Sequence, residues 1–386
     1  MEQYFEIPAS TLEASNSAWT AREILQQPKV WRQAAANIDK QRAALDAWLQ
    51  PLLAKPECRM VLTGAGTSAF IGETLAPHLR KTLRRRVDAI STTDIVSDPG
   101  QYFSEDVPTL LISFARSGDS PESVASVELA NQVLSDCYHL VLTCNHEGYL
   151  AKLASSNTDN TYCVLMPEGT NDRSFAMTSS YSSMLVTCLS IFSSNPRQLE
   201  QTANLTERLL SEQLTNVRSL AKRGFTRLVV LGAGCLLGTA REASLKCLEL
   251  SAGEVVPMFD SPLGFRHGPK SVLDKNTLLL LLRSADAYSA RFDNDLLTEL
   301  QDDKQLAHIV ALSPAALGEA ALDEEVSGEK TFEFQDVWLS LVYIVYCQML
   351  GFFAAIERGI GADNPCPSGE VNRVVKGVII HPYRGQ

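Results

Sequence analysis

A cation and a carboxylate three residues apart point to proton-transfer chemistry in the stretch from 241 to 269. Lys246 and Glu249 would share one face of a helix, and His267 follows in a loop rich in Gly, Pro and Ser. Lysine, glutamate and histidine are groups that take up and release protons beside carbonyls. The same pattern also fits a surface ion pair and a turn histidine, because charge pairs at this spacing are common on helices.

Two turns in the first half of the chain carry hydroxyls and glycine directly after apolar segments. One turn reads Gly-Ala-Gly-Thr-Ser at 64–68, and the other reads Ala-Arg-Ser-Gly-Asp-Ser at 115–120. Backbone N–H groups at a helix N-terminus, together with Ser and Thr hydroxyls, bind phosphate. A turn serine often only caps its helix, but two such turns on adjacent strands would converge where parallel sheets bind ligands. The predicted ligand-binding residues are Gly66, Thr67, Ser68, Arg116, Ser117, Gly118 and Ser120.

The first of these turns also fits the G-x-G-x-x-G/A pattern of dinucleotide-binding proteins, with Asp88 near the distance expected for a ribose carboxylate. The pattern is short, and Asp88 follows three arginines on a strand instead of ending one. The serine-rich second turn is not part of a nicotinamide site. A nicotinamide cofactor is therefore the weaker interpretation.

Apolar strands alternate with helical stretches, which predicts parallel sheets with helices on both faces. Five strands are predicted between 59 and 166, and a buried helix is predicted at 179–192. The motif at 59–67 recurs at 227–235 with an offset of 168, and the segment at 109–120 recurs at 277–287 with an offset of 167. The fold class is therefore α/β, a tandem pair of doubly wound parallel-sheet lobes with N-terminal helices and a C-terminal tail.

The domain boundaries follow from this repeat. We expect an N-terminal arm and helix at 1–40, a first lobe at 41–197, a linker helix at 198–222, a second lobe at 223–360 and a tail at 361–386. Residues 1 to about 18 are expected to form an extended arm. Thr20 and Glu23 fit a capping box, and a second helix is expected from Val30 to Leu53.

The two copies differ at their turns. Cys235-Leu236 stands where the first copy has Thr-Ser, and Ser284-Ala285-Asp286-Ala287 stands where it has Ser-Gly-Asp-Ser. Most hydroxyls are therefore lost from the second copy. We expect one phosphate cradle, in the first lobe, with the second lobe contributing the acid–base residues.

Composition restricts the partners. The 386-residue chain has a net charge of −11 and a pI of about 5.1, which argues against nucleic acid and anionic membranes. No basic and apolar leader is recognised, and no apolar run is expected to reach the length of a membrane span. Nine scattered cysteines without a C-x-x-C pair fit reduced thiols in a cytoplasm and give no metal pattern.

With these motifs in hand, the chain resembles the sugar isomerase (SIS) domain superfamily and, within it, the isomerase half of glucosamine-6-phosphate synthase. The best match is to the galactosamine-6-phosphate deaminase/isomerase family, also labelled tagatose-6-phosphate ketose/aldose isomerase. The landmarks extend over most of the chain, and they are the two turns, Phe175–Ser180, Phe265–Ser271 and Val371–Pro382.

The resemblance implies a role for each matched residue. Ser68, Ser117 and Ser120 would hold a phosphate, and Glu249 would move a proton between C1 and C2 of a sugar. His267 would open the sugar ring, reaching in from a partner subunit of a homo-oligomer. Lys246 would support Glu249, while Lys376 would lie against the carbonyl, although a lysine in an apolar end segment is often only a snorkelling surface residue.

The sequence departs from the synthase pattern at Ala115 and Arg116, which replace Ser-Gln. Arg116 would either compensate for the lost hydroxyl by charge or face solvent. The glutaminase half of the synthase is not recognised, and residue 2 is Glu2 instead of its N-terminal cysteine. The expected direction is therefore ammonia release.

The implied activity is conversion of galactosamine 6-phosphate to tagatose 6-phosphate and ammonia, without metal or redox cofactor. Two alternatives stay open: simple aldose–ketose isomerisation, and a non-catalytic protein that senses sugar phosphates. The epimer is also open, because the contacts that read C4 are not identified.

Overall fold

The computed structural model describes residues 2–303, 308–315, 317, 322–326, 329–331, 334–375 and 377–385. The chain divides into two compact units. The five-stranded unit comprises Lys29–Asp172, Ser179–Asn195 and Gly369–Gln386. The four-stranded unit comprises Met1–Pro28, Arg173–Thr178 and Pro196–Ser368.

In chain order the strands are β1 (Gln3–Tyr4), β2 (Ile7–Pro8), β3 (Arg59–Thr63), β4 (Val87–Ala89), β5 (Thr109–Ala115), β6 (Cys137–Thr143), β7 (Thr161–Leu165), β8 (Arg227–Leu231), β9 (Val256–Asp260), β10 (Thr277–Leu282), β11 (His308–Leu312), β12 (Leu322–Val326) and β13 (Glu329–Thr331). The helices are α1 (Ala9–Ala14), α2 (Ala18–Leu25), α3 (Gln27–Leu53), α4 (Thr67–Leu83), α5 (Thr92–Ser97), α6 (Pro99–Tyr102), α7 (Pro121–Val133), α8 (Tyr149–Ser156), α9 (Ser179–Phe192), α10 (Pro196–Glu212), α11 (Leu214–Ala221), α12 (Cys235–Leu250), α13 (Pro262–Phe265), α14 (Ala287–Asp303) and α15 (Asp336–Glu357), with a 3-10 helix at Pro269–Val272.

The five-stranded unit contains a parallel sheet in the order β4-β3-β5-β6-β7. Its central strands β3 and β5 are buried along their whole length, as expected for a parallel sheet covered on both faces. All five strands predicted for the first lobe are present. The predicted buried helix is α9, in which every residue but the last is buried.

The four-stranded unit repeats this sheet in the order β9-β8-β10-β11, also parallel. The repeat extends to the backbone of the glycine turns. Gly66 has φ 54° and ψ −126°, and its counterpart Gly234 has φ 56° and ψ −122°. A side chain at Gly64 would meet the Ser68 backbone at 2.6 Å, and one at Gly232 would meet the Leu236 backbone at 2.5 Å. The predicted tandem α/β fold is confirmed.

Helix α15 is apolar all round because it is the core helix of the four-stranded unit. Helices α2, α10, α11 and α12 pack against it, and the Phe5 ring lies 5.4 Å from the rings of both Phe352 and Phe353. By length and by its mean hydropathy of 2.0, α15 could cross a membrane, and no other described helix is both long and apolar enough to do so. However, 94% of its apolar window is buried inside the protein. The expectation that no apolar run reaches this length is wrong.

The N-terminal segment differs from expectation. Residues 3–14 form the antiparallel β1–β2 pair and α1 instead of an extended arm. Helix α2 begins after Ser17, and the capping box at Thr20 and Glu23 is wrong because both residues serve long-range contacts. The Thr20 hydroxyl donates to Asp363 at 2.8 Å, while the Glu23 carboxylate accepts hydrogen bonds from Ser174.

Two of the predicted boundaries fall differently on the observed elements. The boundary at 40/41 lies inside the continuous helix α3, and the units instead part between Pro28 and Lys29. The segment predicted as one linker helix contains α10 and α11.

Candidate active site

Helix α12 carries a buried lysine between two carboxylates. The Lys246 ammonium lies 3.6 Å from Glu242 Oε1 and donates a hydrogen bond to Glu249 Oε2. Lys246 and Glu242 are 0% exposed, whereas the Glu249 side chain is 21% exposed. One end of this cluster therefore reaches solvent and can meet a ligand. The predicted Lys246–Glu249 pair is present and is not a surface pair.

Close helix packing buries this cluster. Gly351 of α15 faces the turn of α12 that holds Lys246, and a side chain at Gly351 would lie 3.0 Å from Leu250 Cδ1. Glycine therefore allows the two helices to approach closely over the lysine. A buried ammonium needs paired anions, and Glu242 and Glu249 provide them.

Glu242 was missed by the sequence interpretation. It stands four residues before Lys246, a spacing that places the two side chains on one helical face. That signal was available. It could not show that Glu242 is fully buried, since the burial depends on α15, about 100 residues later in the chain.

The loop with His267 is anchored on both sides of the histidine. Ser261 caps α13 by accepting from the Gly264 N–H at 3.0 Å, and Phe265 is fully buried. Arg266 and Lys270 both pair with Glu299 of α14. His267 itself is exposed, and its imidazole makes no hydrogen bond to another described residue.

In the five-stranded unit, Gly66 precedes α4 in a conformation that favours glycine, and Thr67 and Ser68 form the first turn of that helix. Both side chains are almost buried, at 4% and 5% exposure. The equivalent Gly234 has the same conformation in the other unit. The glycine thus belongs to the repeated fold, and only the hydroxyls distinguish the first lobe.

The second turn presents backbone donors. Within the described part of the chain, neither the Ser117 N–H nor the Gly118 N–H has a hydrogen-bond acceptor. Gly118 has φ +72°, and the Asp119 N–H donates to Ser117 Oγ at 3.3 Å. The Ser120 hydroxyl donates to Ser123 Oγ at 2.6 Å and leaves the α7 N-terminus without a side-chain cap. Unpaired amides beside a helix N-terminus can hold an anion.

Arg116 does not face solvent. It is 8% exposed, and its guanidinium donates to the Arg373 carbonyl of the C-terminal tail at 2.6 Å. Arg373 in turn donates to the Asp172 carbonyl. The alternative that placed Arg116 in solvent is therefore wrong.

The predicted site residues thus form three groups. Lys246 and Glu249 lie together on α12, and His267 lies on a separate loop of the same four-stranded unit. The two hydroxyl-rich turns belong to the five-stranded unit. Lys376 lies outside the described residues. Among those that are described, no group of three or more His, Cys, Asp or Glu side chains could hold a metal ion.

Comparison with known proteins gives concordant results. Residues 52–194 match the family model of the SIS domain. The chain is 47% identical over 383 residues to D-galactosamine-6-phosphate deaminase AgaS of Shewanella sp. (strain ANA-3), covering 98% of this chain and 95% of the relative. It is 42% identical over 376 residues to the protein of that name from Escherichia coli, covering 96% and 97%.

A solved structure agrees. The crystal structure of tagatose-6-phosphate ketose/aldose isomerase from Escherichia coli superposes with a TM-score of 0.84 at 40% identity, covering 95% of this chain and 97% of that chain.

Proposed function

Because the chain belongs to the D-galactosamine-6-phosphate deaminase AgaS family, we propose that it converts galactosamine 6-phosphate into tagatose 6-phosphate and ammonia. The observation that carries the proposal is the buried Glu242–Lys246–Glu249 cluster, which fixes one partly exposed carboxylate beside a cation. A carboxylate held in this way is suited to carry a proton between neighbouring carbons.

In the proposed mechanism, His267 assists opening of the sugar ring to the aldehyde. Glu249 removes the C2 proton, and the electron pair of the C–H bond forms an enolamine. Return of the proton to C1 gives a ketimine at C2. Water adds to that carbon and ammonia leaves, which yields the ketose phosphate.

The phosphate of the substrate would be held by the turns of the five-stranded unit. The Ser117 and Gly118 amides, just before α7, have no acceptor within the described residues. Ser120 stands at the N-terminus of α7, and Ser68 lies in the first turn of α4. Arg116 would act indirectly, by holding the tail residue Arg373. Lys376, in the same tail, is proposed to lie against the carbonyl end of the substrate.

The test is ammonia release from galactosamine 6-phosphate and glucosamine 6-phosphate, measured side by side with ketose formation. Equal amounts of ammonia and ketose from the galacto epimer support the proposal. Ketose–aldose interconversion of tagatose 6-phosphate without ammonia release from either amino sugar would favour the simple isomerase. Binding without turnover would favour a sensor.

We also propose that the enzyme is a cytoplasmic homo-oligomer whose partner subunit supplies His267 to the site. The exposed His267, held on a loop anchored by Phe265 and Arg266, supports this arrangement. A closed dimer is the simplest assembly that shares a site.

The shared site is tested with two inactive variants, His267→Ala and Glu249→Gln, refolded together. In a mixed dimer one of the two sites would receive both intact residues, so activity should partly return. Verified heterodimers that stay inactive, while hybrids of wild type with either variant remain active, would place His267 in the site of its own chain.

A further inference from the structure

The four-stranded unit contains a second copy, at residues 283–286, of the turn that we propose binds phosphate. It follows β10 and precedes α14, as the turn at 116–119 follows β5 and precedes α7. The internal hydrogen bond is also repeated, because the Asp286 N–H donates to Ser284 Oγ at 3.1 Å. Arg283 stands where the first copy has Arg116. The backbone differs at one position, because Gly118 has φ +72° whereas Ala285 does not have a positive φ. What recurs is a pair of consecutive amides followed by an Asp N–H that donates to the serine hydroxyl.

The two copies differ in what their amides contact. In the first copy the Ser117 and Gly118 N–H groups have no acceptor among the described residues. In the second copy the equivalent Ser284 N–H donates to Asp293 Oδ2 at 2.8 Å, and the Ala285 N–H donates to Asp336 Oδ1 at 2.8 Å. Carboxylate oxygens thus occupy the donors that stay open in the first copy.

Asp336 is held by two kinds of donor, as a phosphate oxyanion would be. Its Oδ2 accepts from the Ser284 hydroxyl at 2.6 Å, while its Oδ1 accepts from the Ala285 amide. The residue stands at the start of α15, about 50 positions beyond the turn.

At the position equivalent to Asp293 the first copy has Ser126, whose hydroxyl donates to the Ser123 carbonyl at 2.9 Å. The first copy therefore has no carboxylate from its own crossover helix in this place.

We propose that the turn at 283–286 is an anion site of the sugar-phosphate type that the Asp336 carboxylate fills from within. Asp336 is then the residue that restricts the chain to one phosphate, because it takes the Ser284 hydroxyl and the Ala285 amide, whereas Asp293 takes only the Ser284 amide. The inference concerns phosphate binding alone and does not depend on which reaction the enzyme performs.

The experiment counts inorganic phosphate bound per chain by equilibrium dialysis, for the wild type and for Asp336→Ala. The variant should bind one more phosphate than the wild type. A crystal grown in phosphate should show it against the Ser284 hydroxyl and the Ala285 N–H, the two donors that Asp336 releases. A wild type that binds none while the variant binds one would count against the first cradle and leave this inference intact. Equal counts for the two proteins overturn the inference.

A matched control separates an anion site from a merely lost hydrogen bond. Asp106 accepts from the Ser135 N–H at 2.8 Å and the Ser135 hydroxyl at 3.0 Å, so it has the same pair of donor types. Phosphate, compared with sodium chloride of equal ionic strength, should raise the unfolding midpoint of Asp336→Ala more than that of the wild type. It should give Asp106→Ala no such extra stabilisation.

If Asp336→Ala does not fold in chloride, it is refolded in phosphate. Soluble protein with native circular dichroism only in phosphate supports the inference. Aggregation in both buffers overturns it.

Discussion

Replacing Lys246 with methionine tests whether the buried ion cluster on α12 stabilises the fold and positions the base. Methionine keeps most of the side-chain volume and removes the charge. Glu242, which is 0% exposed, would then lie in the core without its cation. A buried carboxylate that loses its cation is expensive, so we expect a large loss of stability.

The size of the loss follows from the geometry. At the 3.6 Å separation of Lys246 Nζ and Glu242 Oε1, and with an effective dielectric constant of about 20, the attraction is about 4–5 kcal/mol. Removing one partner of a buried pair typically costs about 3–5 kcal/mol. For a unit of this size, that corresponds to a fall in Tm on the order of 10 °C.

The assay is thermal and urea unfolding followed by circular dichroism, with turnover measured on the same preparations. Lys152→Met is the matched control, because Lys152 forms a solvent-exposed pair with Glu147 at 3.2 Å and should contribute little to stability. The double variant Lys246→Met/Glu242→Gln should regain most of the lost stability, since the uncompensated charge is gone. It should not regain turnover, because Glu249 still lacks the cation that orients it.

Two results would refute this reasoning. A Lys246→Met protein whose unfolding free energy lies within about 1 kcal/mol of the wild type would show that the cluster is not electrostatically coupled as its burial implies. A double variant with full turnover would show that Glu249 needs no lysine beside it.

Three further predictions concern single residues. Glu249→Gln should fold normally and lose a factor on the order of 10²–10⁴ in kcat. The control Glu254→Gln changes an exposed carboxylate that pairs with Arg358 and should leave kcat unchanged. A near-normal kcat in Glu249→Gln would contradict the role of Glu249 as base. Gly118→Ala and Gly224→Ala both place alanine at φ +72° and should each lower the unfolding free energy by about 1–2 kcal/mol. Only Gly118→Ala should raise KM. Equal KM values for the two variants would show that the turn is not part of the site. Burial raises the pKa of Asp293 from its ordinary 3.8 to about 6, so its contribution to stability is fully present below about pH 4 and is lost as the pH rises through 6. Asp293→Asn should abolish this roughly 3 kcal/mol change in urea unfolding between pH 4 and 7, and an unchanged pH profile would show that the carboxyl is not buried in solution.

Much of the sheet architecture was predictable because it follows from local sequence patterns. Buried parallel strands appear as continuous apolar runs, and the repeat at offsets of 167 and 168 identified the second sheet. The glycines at 64, 66, 232 and 234 follow from steric requirements of one turn, so they recur whether or not the turn binds a ligand.

The N-terminal segment was less predictable because its partners are distant. Thr20 and Glu23 have the spacing of a capping box, yet Asp363 and Ser174 take their side chains. Local propensity is a weak guide where a residue is fixed by tertiary contacts. The burial of Lys246 was hidden for the same reason, since α15 covers it from a remote part of the sequence.

The second turn shows how far a comparison of repeats can reach. The second copy keeps a serine at 284 but has Ala287 where the first copy has Ser120. That loss of a hydroxyl alone would have left the amides of the turn free to bind an anion. The acceptors that fill them, Asp293 and Asp336, come from 9 and about 50 residues further along the chain, so neither belongs to the repeated motif. A sequence motif specifies the donors of an anion site. Which group accepts from those donors depends on whether the rest of the fold places a carboxylate beside them. The chain has therefore kept the paired amides of the turn in both copies, and it distinguishes the copies by supplying internal carboxylates to one of them.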